Sequence, residues 1–280
     1  MARQRWRVII DNDFAGDPDG LASLAHLLVS DEIHIELVTS SPVDPHLAGL
    51  VGMDASTSAA RGTALASELI TIASGSQPPV VVGAESFAPE LRTTAAAAAI
   101  AELCMADTDS ALTILCGGPL INIAAAIALE PKICSRATLA WIGGSTDSSF
   151  EYNRDTDAAS AAFVFSSGIP ITQVTREAYE QLRVSTTEVE HDLAGASPVG
   201  AWVAERLLDV PPFVTLHGAL TLGDSALASV IALDPRFDPT VAGDPAAPPL
   251  RRQITAIDTR LMWADFLAKL RLHGAAEVPA

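Results

Sequence analysis

Lysine, cysteine, aromatic residues and long apolar runs are all scarce in this 280-residue chain. Only Lys132 and Lys269 supply an ammonium group, and both fall in helix-like or post-helix contexts. That counts against an Asp-nucleophile phosphohydrolase, which also carries D-x-D behind its first parallel strand but needs a lysine and a Ser or Thr at later strand ends. Cys104, Cys116 and Cys134 lack C-x-x-C spacing and lie in apolar or helical contexts, so they read as small core residues of a reduced compartment. No uninterrupted apolar stretch approaches the ~20 residues that span a bilayer. MARQRWRVIIDND passes from basic residues straight into a short strand, without the longer apolar segment and cleavage site of a secretory signal. A soluble cytoplasmic protein is expected. With 4 Trp, 2 Tyr and 8 Phe, few rings are available to stack on a ligand.

Positive charge is scarce as well. Lys and Arg number 17 against 34 Asp and Glu, a formal net charge of −17. Such a field repels phosphate backbones and anionic membrane surfaces, so neither nucleic acid nor membrane is expected as a partner. A neutral small molecule, or a cation held by carboxylates, suits the balance.

Apolar residues make up 49% of the chain, ample for a large core. Short apolar runs alternate with longer helical patterns: RVII then GLASLAHLLVS, IELVTS then ASELITIAS, PVVVG then TTAAAAAIAELCM, ALTILCG then PLINIAAAIAL. TLAWIGG and IPITQV extend the series around the helix-like DTDAASAAFVFSS. That alternation predicts an α/β fold in a single domain, residues 1–280, with one mostly parallel sheet of about seven or eight strands covered by helices on both faces. Thr93 and Thr94 precede the alanine run as caps. Residues 236–250, RFDPTVAGDPAAPPL, read as a solvent loop before a final strand or hairpin-like segment, RRQITAID, and a terminal helix.

DNDFAGDPDG, residues 11–20, packs Asp11, Asp13, Asp17 and Asp19 behind the first strand. In an open α/β sheet, ligands gather beyond the carboxyl ends of the strands, where this loop falls. Carboxylates at that density repel one another and raise their own pKa values unless a cation compensates. Ca²⁺ or Mg²⁺ fits better than zinc, because no Cys or His accompanies the acids. A turn that merely caps the following helix is the plainer alternative.

Several segments, taken in order, resemble the inosine-uridine nucleoside hydrolases. The opening stretch with LASLAHLL resembles their aspartate-rich first motif, and LTILCGGPLINIAAA at 112–126 their strand, glycine turn and GPLTN-like helix start. AWIGGS at 140–145 is similar to their MGG segment, FEYNRDTDAA at 150–159 to their ribose-contacting AEFN stretch, and LGDSALASVIALDP at 222–235 to their late HD-plus-helix motif. The resemblance covers roughly residues 7–240, with a C-terminal strand and helix at 251–274. It implies a Rossmann-like open sheet, hydrolysis of an N-ribosyl bond, a bound Ca²⁺ and a homo-oligomer, dimer or tetramer.

Carried over residue by residue, the resemblance implies that Asp13 binds the ion and activates water as general base. Asp224 ligates the same ion, and Gly117 offers it a main-chain carbonyl. Glu151 and Asn153 hold the sugar, with Asp44 near the ribose hydroxyls.

Two positions depart from the pattern. The motif's adjacent pair of Asp, one for a sugar hydroxyl and one for the ion, aligns here as Asp19-Gly20, so Asp17 is the candidate for the vacant ligand place. Altered Ca²⁺ binding, a different metal and no metal remain as alternatives. Gly223 stands where many members carry a His beside the metal-binding Asp, which makes His217, one or two helical turns earlier, the candidate acid for the leaving base. Phe14, Phe150 and Tyr152 are candidates to cover that base. Release of ribose and base from a nucleoside or related ribosyl compound is the expected activity; a ribosyl-binding protein without turnover is the alternative.

Overall fold

The strands follow from buried β-branched and aliphatic runs, and the helices between them from alanine-rich amphipathic segments. The computed structural model describes residues 6–87, 93–106, 111–147, 149–211, 213–233 and 251–277. Residues 236–250, expected to form a loop, lie outside the described residues.

Seven strands form one parallel sheet: β1 (Trp6–Asn12), β2 (Ile33–Ser40), β3 (Val80–Val82), β4 (Leu112–Cys116), β5 (Ala137–Ile142), β6 (Ile171–Val174) and, at the far edge, Arg251–Ile254. Between the last two in sequence come β7 (Arg183–Ser185) and β8 (Ala219–Thr221), which pair antiparallel as a separate small sheet. The edge strand is therefore β9, and the order is β3-β2-β1-β4-β5-β6-β9. The first half of RRQITAID thus enters as a strand and not a hairpin: β9 runs parallel to β6, and the Arg251 guanidinium donates to the carbonyls of Phe165 and Ile169.

Alternation along each strand divides the core in two. Val8, Ile10, Leu115, Ala140 and Ile142 point to one face, where they meet the helices Pro18–Leu28, Ser58–Ala73, Pro198–Leu208 and Thr259–Glu277. Ile9, Ile114, Leu139 and Trp141 point to the other, against Ala95–Met105, Ile121–Leu129 and Ala158–Ser166. Caps start these helices where the sequence offers them: Thr94 Oγ1 accepts from Ala97 N–H at 3.1 Å, and Asp157 accepts from Ser160 N–H at 3.1 Å. Among the described residues no helix is long and apolar enough to cross a membrane.

The C-terminal helix is clamped to the first one. His26 Nε2 lies 2.8 Å from Asp265 Oδ2, its ring stacks on Phe266 at 4.8 Å, and Lys269 Nζ pairs with Glu32 at 2.6 Å. Phe266 is fully buried. Truncating it leaves a cavity beside the rings of His26 and Trp263, so Phe266→Ala is expected to lower the unfolding free energy by about 3–5 kcal/mol. Urea denaturation measures that loss, and an unchanged midpoint would contradict this account of the clamp.

Candidate functional site

The chain leaves β1 in one direction to build β2 and β3 and in the other to build β4, β5 and β6. The carboxyl ends of β1 and β4 therefore flank the switch point, where an open parallel sheet has a crevice. Asp11 pairs across the ladder with Thr39 on one side and Cys116 on the other, so the acidic loop emerges at this crevice. The Gly117-Gly118 turn faces it from β4, held by Trp141 Nε1–H donating to Gly118 O at 3.0 Å and by the Cys116 thiol donating to the same oxygen at 3.2 Å.

Strand alternation gives the successive acids different neighbours. Asp11 turns with Ile9 toward the second core, where its carboxylate accepts from Thr39 Oγ1 at 2.6 Å and Asn122 Nδ2 at 2.8 Å. Burial pushes its pKa up to about 6 against these hydrogen bonds, which lower it. Asp11 is thus an internal strut. Asn12 turns the other way, and its amide donates to Asp224 Oδ2 at 2.7 Å while its carbonyl accepts from Asp13 N–H at 2.8 Å.

Asp17 caps the helix Pro18–Leu28 from the N-terminal side, with its side chain accepting from Asp19 N–H at 3.4 Å. Asp224 reaches the same place from the distant end of the chain. Leu222 N–H donates to Leu182 O at 2.8 Å, and a short 3-10 turn then presents Asp224. Its main-chain N–H donates to Asp19 Oδ2 at 3.0 Å, and its carbonyl accepts from Ser23 Oγ at 2.8 Å. Carboxylate oxygens of Asp17, Asp19 and Asp224 consequently lie within 4.8 Å of one another.

Burial, then the charge of Asp17, hold Asp13, Asp19 and Asp224 well above the usual carboxylate range. Asp13 Oδ1 and Asp19 Oδ1 are buried without a hydrogen-bond partner. An all-oxygen donor set with orphaned, mutually repelling acids fits a hard divalent cation. Asp17, the half-buried residue expected to fill the vacant place, stands in this group together with Asp19, for which a sugar contact was expected. Asp13 lies outside that triad but carries an orphaned oxygen into the same region.

The sugar-side residues are more heavily engaged than their spacing suggested. Glu151 caps the short helix Tyr152–Asp155. Its carboxylate accepts from Gly144 N–H at 2.6 Å, Arg154 N–H at 2.9 Å, Asn153 N–H at 3.2 Å and Tyr179 Oη at 3.1 Å. Asn153 Nδ2 donates to Gly117 O at 2.6 Å and Ile142 O at 3.0 Å, so the carbonyl expected to face an ion is bound by an amide. Asp44 caps the helix Pro45–Leu50 through the N–H groups of His46 and Leu47, and its own N–H donates to Tyr152 Oη at 3.0 Å. Phe14 is buried in the core, whereas Phe150 is exposed.

His217 is exposed in a turn at φ 50° before β8, and not on the helical run expected between it and Asp224. Gly223 is closely packed: a Cβ there would lie 3.0 Å from Tyr179 Cδ2, a tight contact, and 3.4 Å from Asp19 Oδ2. Asn12, Asn122 and Tyr179 are the site residues that sequence reasoning passed over. Asn12 lies between Asp11 and Asp13 in the acidic stretch and Asn122 follows the Gly117-Gly118 turn, where the neighbouring acids and glycines carry the stronger local signal; Tyr179 carries none.

A parallel, doubly wound sheet with buried acids at its switch point defines a class of small-ligand α/β proteins. Residues 8–244 match the sequence profile of the inosine-uridine preferring nucleoside hydrolases, and the chain belongs to that family. The pyrimidine-specific ribonucleoside hydrolase RihA of Shewanella sp. (strain ANA-3) is 32% identical over 107 residues, covering 36% of this chain and 33% of that protein. The RihA of Shewanella woodyi (strain ATCC 51908 / MS32) is 30% identical over 139 residues, 47% of this chain and 42% of that protein. The matched stretches thus span less than half the length of these curated relatives. An inosine-uridine preferring nucleoside hydrolase from Bacillus anthracis shares the fold, with a TM-score of 0.70 at 16% identity over 95% of this chain and 99% of that one.

The raised acids set a pH dependence. A carboxyl whose folded pKa exceeds its unfolded value binds its proton more tightly when folded, so its contribution is present in acid and is lost as pH rises through the folded pKa. For Asp11 the window runs from the ordinary 3.8 to about 6. His26, lowered by burial, works in the opposite sense, so Asp11→Asn is the proper reference. In EDTA, the stability of the wild type relative to Asp11→Asn is expected to fall between pH 4 and pH 6. Urea titrations across that range measure the difference; a rise would refute the assignment.

Proposed function

We propose that this chain hydrolyses the N-glycosidic bond of a nucleoside or related ribosyl compound, with a divalent cation, Ca²⁺ first among candidates, held by Asp17, Asp19 and Asp224. The observation that carries this reading is the convergence of those carboxylates with the orphaned oxygens of Asp13 and Asp19, at the switch point of a chain in this family. A cation bound there supplies Lewis acidity toward water and toward the sugar's vicinal hydroxyls.

Asp13 is the group assigned to take the proton of the attacking water. Its unpartnered buried oxygen is free to accept that proton. Water adds its oxygen to the anomeric carbon as the C–N bond breaks; the bond pair leaves on the base, which takes a proton from solvent. Positive charge developing on the ring oxygen and anomeric carbon is stabilised by the surrounding acids. Asn153 fixes the Gly117 turn, and Glu151, anchored by four donors, fixes the Gly144 turn and the helix Tyr152–Asp155; both are assigned to the sugar side of the site.

Because the RihA relatives are named as pyrimidine-specific, uridine and cytidine head the substrate panel, followed by inosine, guanosine and adenosine. Free ribose is measured with Ca²⁺ and with EDTA. Asp13→Asn is expected to lower kcat by about 10²–10⁴-fold while KM changes little. A ribosyl-binding protein without turnover is the second reading, favoured by the engagement of the Gly117 carbonyl by Asn153. It requires saturable ribose binding with no release from any nucleoside, and that result would overturn the first reading.

A further inference from the structure

Two glycines that come from different parts of the chain face one side chain. A Cβ on Gly20 would lie 2.6 Å from Asn12 Nδ2 and 2.9 Å from Asn12 Cγ. A Cβ on Gly117 would overlap the same amide and come within 2.6 Å of Asp224 Oδ2. Non-bonded heavy atoms do not approach so closely, so both positions must lack a side chain while Asn12 holds this place. Asn12 cannot easily move away: it is 1% exposed, and each end of its amide is engaged.

The engaged ends are informative. The carbonyl accepts from the N–H of Asp13, and the amide donates to the oxygen of Asp224 that also faces Gly117. An N–H directed at a carboxylate oxygen stabilises the charged form and restricts its rotation. An Asp at position 20 would instead bring a further negative charge against Asp19 and Asp224, from the volume that the Asn12 amide now fills.

We propose that Asn12 and Gly20 are a packing pair, in which the bare Gly20 backbone leaves room for the Asn12 amide and that amide orients Asp224 toward the cation. Asn12 is then a positioning residue for Asp224. The part concerning the cation rests on the reading of Asp17, Asp19 and Asp224 as its ligands. The steric part does not.

A double-mutant cycle on the full chain tests the pair with Asn12→Ala, Gly20→Asp and the two combined. Thermal midpoints are read in EDTA and Ca²⁺ affinity by titration calorimetry. Gly20→Asp alone is expected to lower the midpoint by several degrees, and the combined variant to recover at least half of that loss. Asn12→Ala alone is expected to weaken Ca²⁺ binding about 10-fold.

Gly20→Ala, which adds the Cβ alone, serves in the same cycle where Gly20→Asp does not fold. Additive thermal effects in EDTA would overturn the pair. If they occur while the wild type binds Ca²⁺, the cation reading stands without it. A wild type that binds no Ca²⁺ would overturn the cation reading and the positioning role together. Asn12→Ala with unchanged Ca²⁺ affinity would overturn the positioning role alone.

Discussion

Parallel pairing of β1 with both β2 and β4 is the constraint on which the site depends. It buries the last residues of β1 from both sides and forces the chain to leave the strand at the one place where the sheet's connections diverge. With a side-chain period of 2, neighbouring polar residues must then enter opposite layers. Asp11 goes to the helix Ile121–Leu129 through Asn122, Asn12 goes to the helix Pro18–Leu28 and Asp224, and Asp13 is left at the mouth. A one-residue slip would exchange the strut and the positioning amide.

Hydrogen-bond satisfaction separates acids that build from acids that wait. Asp11 and Glu151 are saturated by donors from the protein itself, which is how buried carboxylates are tolerated in a folded core. Asp13 and Asp19 each keep a buried oxygen without a partner, and burial near Asp17 raises their proton affinity. At Asp13 and Asp19, unlike at other unpartnered buried atoms such as Asp157 Oδ2, neighbouring carboxylates add repulsion that a bound cation would offset.

The two departures from the family's pattern have spatial answers. Beside Gly20 stands the Asn12 amide, and beside Gly223 stands the ring of Tyr179, whose hydroxyl donates to Glu151. Each glycine looks like a loss along the chain. In the fold each lies against a side chain from another element: a Cβ on Gly20 would overlap the Asn12 amide, and one on Gly223 would crowd the Tyr179 ring.

The sequence by itself determined the class of fold and pointed to the loop that carries the candidate site. Alternating apolar runs and alanine-rich helices carry that information locally, as do the acidic loop behind VII, the Gly117 turn and the Glu151-x-Asn153 pair, because periodicity and turn chemistry act between near neighbours. Only the tertiary structure decided which acids meet. Asp17 joins Asp19 and Asp224 because the start of the helix Pro18–Leu28 and a distant 3-10 turn are brought together by the Asp224 N–H on Asp19, a contact across 205 residues of sequence. His217, close to Asp224 in sequence, is held in an exposed turn by a two-stranded sheet that its local pattern did not announce. Contacts of that range have no periodic signature; they arise when two core faces close on a crevice and polar groups must find partners inside it.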